Sequence, residues 1–460
     1  MPVTRREILK AGTAAGALLI AKPFGALAQG LGPRPFETSR ASRLFPGTWL
    51  AHADLHNHTL MSDGDGTPEA AFASLRSAGL DVAALTDHAT IGMDIPGMSS
   101  CGECASLTGM NETKWAQAGE IADSHYEPER FVAIRGFEWS SPTLGHVNVW
   151  FSEKWVDPLH TAGVSTGEGI GQFLHTESDK TFPSGLSEPL DAFIRMAPTS
   201  GTTMQPFYEW LKSNPDTPVL GGGLDGIAGF NHPGRETGRF GYFSFEPDLR
   251  DRLVSCEVFN RTEDYLFEGT DQGVGSPINE CLNAGWKVGL LGVTDEHGTD
   301  WGYPDGKGRT GLWVNSLTRD DVREALLARR FFSTRLKGLR LDASANGVRM
   351  GSELAHGSGP VTFKLDIDRG RQWWGRRLNV QVLQSGTHMP EIIANHEIRV
   401  PTGGQPVVAF TTPVDAINGG WVVLRVTDPS EPADERATGS FASLGNAVAY
   451  ASPFFLVPPA

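Results

Sequence analysis

The run Asp54-Leu55-His56-Asn57-His58, followed by Asp63 and then by Thr86-Asp87-His88, brings metal-binding residue types together at a spacing that lets them cooperate. Side chains two residues apart on an extended strand point to one face, so His56 and His58 can converge on a single ion. Asp63 follows in the loop leaving that strand. Glu138, His146 and His232 come later, and Asp295-Glu296-His297 repeats the two-residue spacing with one carboxylate and one imidazole. Taken together, His56, His58, Asp63, His88, Glu138, His146, His232, Asp295 and His297 form a nitrogen and oxygen donor set large enough for two or three divalent ions. Zinc, manganese or iron suits that mixture, whereas calcium prefers oxygen alone. The set contains no thiolate, so softness does not single out zinc. A lone buried histidine is usually structural, but six of the 13 histidines together with three carboxylates argue for a common purpose.

The donors must be held by regular elements, and the hydrophobic pattern supplies them. Trp49 to Thr59, bounded by Pro46-Gly47, reads as a strand. Ala71, Phe72, Leu75 and Ala78 recur at helical spacing between Pro68 and Leu80, and Asp81 to Leu85 is a second strand leading to Asp87-His88. This is a β-α-β unit with donors at carboxyl strand ends, where open sheets and (β/α) barrels place their sites. The pattern continues with a strand from Phe131 to Phe137 ending at Glu138 and a strand from Gly145 to Trp150 with His146 near its start. Gly226 to Phe230 then leads to His232, and Lys287 to Val293 leads to Asp295. Two stretches interrupt it, Ile91 to Glu129 with a helix around Thr113 to Ile121, and Ser152 to Gly223 with a helix from Met204 to Asn214. Insertions after strand ends commonly build a substrate pocket, so these two are expected to form a lid that carries specificity. Gly311 to Asn315 reads as one more strand, and Arg319 to Arg330 as an amphipathic helix capped by Thr318. Beyond residue 336 the period becomes two, with Leu339, Leu341 and Ala343, then Val361, Phe363, Leu365 and Ile367, then Leu378, Val380 and Val382, followed by Trp421 to Val426 and Ala447 to Ala451. That describes a small β-sandwich over 337–460 with a structural role.

The motifs H-x-H, T-D-H, a glutamate, further histidines and a final D-x-H resemble those of the PHP (polymerase and histidinol phosphatase) family. All nine ligand positions of that family have a match here, in order, with Asp63 at a position shared between histidine and aspartate. Asp54-Leu55-His56-Asn57-His58-Thr59 and Gly136-Phe137-Glu138-Trp139 look most like its secreted carbaryl hydrolase (CehA/McbA-like) branch. The resemblance covers roughly residues 50 to 336. It implies an α/β fold, a distorted (β/α)7 TIM-like barrel over 49–336 ahead of the sandwich. It also implies that His56, His58, Glu138 and Asp295 hold one metal, and that Glu138, His146 and His232 hold a second bridged through the carboxylate. Asp63, His88 and His297 would hold a third or complete the cluster.

The chemistry expected of such a cluster is hydrolysis, because divalent metals make hydroxide available at neutral pH and stabilise developing negative charge. Glu138 and Asp295 are assigned to it as ligands and catalytic groups. Asp87 is either an orienter of His88 or a turn cap. Arg235 and Arg261 either fork onto a phosphate or are solvated surface charges. Glu296 and Trp301 are candidates for proton donor and apolar wall. Three readings follow. They are a phosphoesterase, a carbamate or carboxyl-ester hydrolase suggested by the branch resemblance and the Trp- and Phe-containing insertions, and a non-catalytic metal-binding protein, against which the complete donor set argues.

The 460 residues exceed what one core usually holds. A net charge of -15 and a pI near 5.3 argue against nucleic acid as a partner and leave a small-molecule substrate. Thr4-Arg5-Arg6-Glu7-Ile8-Leu9-Lys10, the apolar stretch Ala11 to Ile20 and Ala26-Leu27-Ala28 read as a twin-arginine signal peptide over 1–28. That predicts recognition by the twin-arginine export machinery and a periplasmic or secreted protein. A membrane anchor is the weaker alternative, since the apolar stretch is short and Lys22 interrupts it. Residues 29–48 read as a linker with little core potential. Of the four cysteines, Cys101 and Cys104 form a C-x-x-C that is either a redox or zinc site or, more simply, a loop disulfide, while Cys256 and Cys281 are expected to be buried. Their pairing and the oligomeric state are not legible.

Overall fold

A strand immediately before His56 follows from the apolar start of Trp49-Leu50-Ala51-His52-Ala53, and in the computed structural model β1 spans Trp49–Asp54. The structure describes residues 40–89, 109–141, 144–156, 158, 203–218, 221–235, 239–268, 275–303, 306–402 and 407–459. The expected leader, Cys101, Cys104 and most of both expected insertions lie outside them.

Thr67 starts α1 (Pro68–Ser77) by accepting the Ala70 N–H, and Pro68 sits in the first turn, where its missing N–H costs nothing. The helix buries Ala71, Phe72 and Leu75 and delivers the chain to β2 (Val82–Leu85), parallel to β1. α2 (Glu112–His125) similarly precedes β3 (Val132–Ser141), parallel to β2. Its Ile121 and Ala122 pack with Phe131 and Ala133, and its Trp115 meets Phe137 edge-on. This part of the segment expected as a lid is therefore the connecting helix of a β-α-β unit.

From β3 onward the strands no longer all run one way. β4 (Gly145–Trp150) is antiparallel to β3, and β5 (Ile227–Phe230) is antiparallel to β4. α3 (Gln205–Lys212) precedes β5 and buries Phe207, Tyr208, Trp210 and Leu211. β6 (Leu253–Asn260) returns to the direction of β5, the short β7 (Glu263–Asp264) folds back on it, and β8 (Gly289–Val293), reached through α4 (Pro277–Asn283), is parallel to β6. The chain leaving β8 comes back to the chain leaving β1. Asp295 N–H donates to His56 O at 3.0 Å, and His58 N–H donates to Glu296 O at 2.9 Å. The two-residue motifs at either end of the donor sequence are thus hydrogen-bonded side by side.

β9 (Arg309–Val314) is antiparallel to β1, α5 (Arg319–Leu327) is capped by Thr318, and β10 (Phe331–Thr334) pairs with β9. The C-terminal strands are β11 (Arg340–Ala345), β12 (Val348–Arg349), β13 (Glu353–Ala355), β14 (Ser358–Asp368), β15 (Arg377–Gln384), β16 (Glu391–Arg399), β17 (Val407–Asp415), β18 (Trp421–Asp428), β19 (Asn446–Ala451) and β20 (Phe454–Val457). Strands β12, β11, β14 and β17 form a separate sheet, whereas β15, β18, β19 and β20 belong to the large sheet that carries the donors, joined to it where β10 pairs with β19. The alternating residues Leu341, Phe363, Leu365, Ile367, Val380 and Val382 face inward as their period requires, and the core they build also takes in Leu50, Trp313 and Phe332. Among the described residues the fold is mixed α/β, with one large sheet and few helices.

Three local expectations change. β1 stops at Asp54, so His56 and His58 lie on its extended continuation. β3 runs on to Ser141, which puts Glu138 inside the strand: Phe137 and Trp139 enter the apolar core while Glu138 and Ser140 take the opposite face. Residues 40–48 are held by polar side chains, which an apolar pattern does not register. Arg40 pairs with Asp81 at 2.6 Å, Ser42 donates to Asp342 at 2.6 Å and Arg43 meets Asp366 at 3.2 Å. Among the described residues no helix is long and apolar enough to cross a membrane. Cys256 and Cys281 are buried free thiols.

Candidate metal centre

All nine residues of the donor set meet in one place. Glu138 is fully buried at the middle. Its Oε1 accepts from Asn231 Nδ2 at 2.7 Å and lies 3.2 Å from His146 Nδ1, 3.2 Å from His232 Nε2 and 3.3 Å from His56 Nε2. Its Oε2 lies 2.7 Å from His88 Nδ1 and 3.5 Å from His58 Nε2. Asp295 Oδ1 is 3.4 Å from both His56 Nε2 and His58 Nε2, and Asp63 Oδ2 is 3.4 Å from His297 Nε2 and 3.6 Å from His88 Nε2. Four overlapping groups have donor atoms within 4.8 Å of one another: His58, Asp63, His88 and His297; His56, His58 and Glu138; His56, His232 and Asp295; and His88, Glu138 and His146. This grouping differs from the expected one, since His232 falls with His56 and Asp295, and His58 joins the Asp63 set.

The electrostatics suit cations. Burial works against the charge of Glu138 and Asp295, but the surrounding imidazoles, and Arg235 beside Asp295, hold both carboxyls well below their ordinary range. Asp63 is likewise held low against its burial, mainly by the imidazoles of His297 and His88 that face its Oδ2. Burial lowers His58 to about 3, assisted by His297 and His88, so this ring is neutral with a lone pair to offer. Burial also opposes charge on His56 and His88, yet the carboxylates around them outweigh it and raise both, His88 to about 10. His56 Nε2 and His58 Nε2 face each other at 3.0 Å, and His232 Nδ1 is buried without a hydrogen-bond partner. Converging ring nitrogens, ionised carboxylates and an orphaned ring nitrogen are what divalent metal ions would satisfy on displacing the ring protons, and the mixture of six imidazoles and three carboxylates fits zinc, manganese or iron.

The backbone around these residues is under constraint. Asp295 and His232 adopt positive φ, 49° and 22°, and Arg261 next to them adopts 50°. Side chains disfavour that region, and such strain gathers at functional sites. Gly64 is required by close approach, because a Cβ there would lie 2.6 Å from His58 C and Thr59 N. Replacing Gly64 by alanine is expected to push the His58–Asp63 loop away and weaken metal binding by about tenfold or more, as measured by titration against a chelating dye. Unchanged affinity would mean that the loop gives way without moving its donors.

Other sequence candidates take distinct places. Arg235 Nη1 is 3.0 Å from Asp295 Oδ2 and Arg261 Nη2 is 3.4 Å from the same oxygen, so two guanidinium groups stand together at the edge of the donors. Glu296 is paired with Lys307 and accepts the Gly298 N–H at 3.0 Å, and it belongs to none of the four donor groups. Trp301 is buried and donates from Nε1 to His58 O at 3.2 Å, bracing the loop from behind. Asp87 accepts from Thr59 N at 2.7 Å and from Ser62 Oγ at 2.7 Å, which makes it an anchor of the turn after His58; the partner of His88 Nδ1 beside Glu138 is Ser140 Oγ, at 2.6 Å.

The sequence reading missed Glu257. It is buried on β6, with Oε1 2.8 Å from His56 Nδ1 and Oε2 accepting from His232 N at 2.7 Å and Asn260 Nδ2 at 2.8 Å. It therefore fixes the His56 ring with Nε2 toward the other donors and also fixes the backbone of His232. A single carboxylate inside the apolar run Leu253 to Phe259 was the available signal. Glu257→Gln is expected to lower metal affinity about 10- to 100-fold while leaving every donor in place, which competition against a chelator of known affinity will measure.

A family model described as "Protein of unknown function (DUF3604)" matches residues 69–176, a stretch that includes His88, Glu138 and His146. A comparison with curated proteins gives no match. Among solved structures, the chain is similar to a two-domain protein from Bacteroides vulgatus described as containing a predicted PHP-like metal-dependent phosphoesterase. Identity is 15%, coverage is 92% of this chain and 100% of that one, and the TM-score is 0.38. A protein from Bifidobacterium adolescentis inferred to be a metal-dependent phosphoesterase is 18% identical over 60% of this chain and 96% of its own, with a TM-score of 0.27. An amidohydrolase from Chromobacterium violaceum is 18% identical over 54% and 88%, with a TM-score of 0.25. Likenesses this weak leave the chemistry to be argued from the residues themselves.

Proposed function

We propose that this chain is an exported, metal-dependent hydrolase acting on phosphoesters, in which His56, His58, Asp63, His88, Glu138, His146, His232, Asp295 and His297 hold two to three divalent ions. The observation that carries the proposal is the set of four interlocking donor groups, two of which share Glu138. Ions there would supply Lewis acidity toward water and toward the scissile group. Glu138 joins neighbouring groups and keeps them close, while Glu257 and Ser140 set ring orientations. Arg235 and Arg261, both at Asp295 Oδ2, are suited to receive an anionic group beside the donors, which favours a phosphoester over a neutral ester. The carbonyl chemistry of a carbamate or carboxyl-ester hydrolase needs the same ions but no paired guanidinium groups, and it stands as the second reading. In this proposal the return of the chain after β8 to the end of β1 reflects a distorted seven-stranded barrel of the PHP type, the strands beyond β10 a sandwich, and residues 1–28 a twin-arginine leader.

The test offers purified protein loaded with zinc, manganese or iron three substrates: p-nitrophenyl phosphate, bis-p-nitrophenyl phosphate and a 1-naphthyl carbamate. Turnover of a phosphoester is the expected result. Turnover of the carbamate alone would sink the phosphoesterase reading, and full metal loading with no turnover of any substrate would favour a binding protein.

A further inference from the structure

Arg235 is held from behind by a segment that the C-terminal strands in turn hold. Its Nη2 lies 3.3 Å from Glu263 Oε2, and Tyr265 Oη donates to the same oxygen at 2.7 Å. The next carboxylate, Asp264, is buried and accepts from Tyr450 Oη on β19 at 2.9 and 3.1 Å, and Arg425 Nε on β18 donates to that hydroxyl at 2.9 Å. Four residues on, Glu268 pairs with Arg436, which also bonds Asp434 and reaches Asp264 O at 3.5 Å. This segment packs directly under the turn that carries Arg235, because a Cβ on Gly234 would fall 1.7 Å from Glu268 Cγ and 3.1 Å from Tyr265 Cδ1. A buried carboxylate and hydroxyl pair is costly to leave half-made, so the link is stiff.

We propose that Tyr450 and Arg436 are positioning residues: through the segment Glu263 to Glu268 they fix the guanidinium of Arg235 against Asp295, and so set the affinity of the centre for a phosphate group. The C-terminal strands thereby take part in substrate binding although none of them supplies a donor. The inference rests on the phosphoester reading.

The test uses full-length protein with its metals. Tyr450→Phe and Arg436→Gln are each combined with Arg235→Lys, and four quantities are read: metal content, thermal midpoint, the dissociation constant of inorganic phosphate and steady-state constants on p-nitrophenyl phosphate. Each C-terminal variant is expected to raise KM and the phosphate dissociation constant about tenfold, with kcat changed less than about threefold and metal content unchanged. Neither should add further loss to Arg235→Lys, since both act through that residue. Arg436 is partly exposed, so its variant folds even if loss of the Tyr450 hydroxyl proves severe. Unchanged phosphate affinity in both variants, or losses that add to that of Arg235→Lys, would overturn the proposal while the phosphoester reading stands. Metal-loaded wild-type protein that neither binds phosphate nor turns over the ester would overturn the reading and this inference with it.

Discussion

Glu138→Ala is expected to cost the protein at least two of its metal ions and to lower hydrolysis by about 10³-fold or more. Glu138 faces His56, His88, His146 and His232 at 3.3 Å or less, so its removal takes a donor from two groups at once and leaves several buried imidazoles without their carboxylate. Metal analysis after gel filtration reads the loss directly. Glu138→Gln, which keeps the volume and removes the charge, separates ligation from packing, because only the charge should matter for ion content. Retention of the full metal complement by the alanine variant would refute the idea that one carboxylate serves neighbouring groups.

The second large effect is on stability. Asp366 and Arg340 are both fully buried between β11 and β14, with Arg340 Nε 2.9 Å from Asp366 Oδ2, and the same carboxylate receives Arg43 N at 3.2 Å. Asp366→Ala removes the charged acceptor of a buried guanidinium, which costs about 3–5 kcal/mol. It also loosens Arg43, which keeps only its longer pairing with Asp368 at 3.8 Å, in the segment that feeds directly into β1 and hence into His56 and His58. Thermal unfolding should shift markedly downward, whereas metal content at low temperature should hold, because Asp366 touches no donor. A loss below about 1 kcal/mol would mean that water and the other contacts of Arg340 suffice to hold it once its carboxylate is gone.

Much of the centre was legible because its signals are local. His56 with His58 and Asp295 with His297 announce themselves by two-residue spacing, and the strands before them by short apolar runs. What stayed hidden depends on contacts distant in sequence. Glu257 lies about two hundred positions from His56, and no spacing rule relates them. Glu138 looked like the end of a strand because a carboxylate seldom sits inside one, yet the face it occupies there is polar by virtue of its neighbours. The reversed direction of β4 was invisible as well, since an apolar run carries no sign of which way its partner runs. Residues 40–48 looked like a linker because polar staples such as Ser42 to Asp342 leave no hydrophobic trace.

The composition of the donor set has a further consequence, in the sign of the centre's own charge. Asp63, Glu138 and Asp295 contribute three negative charges, and imidazoles that bind metal do so as neutral rings. Against these carboxylates alone one divalent ion leaves a net negative sum and a second turns it positive, while Arg235 and Arg261 add positive charge at the edge in either case. Each ion bound would therefore strengthen the pull on an anion that Arg235 and Arg261 already favour, so the concentration of free metal around the protein would set how tightly an anionic molecule is held.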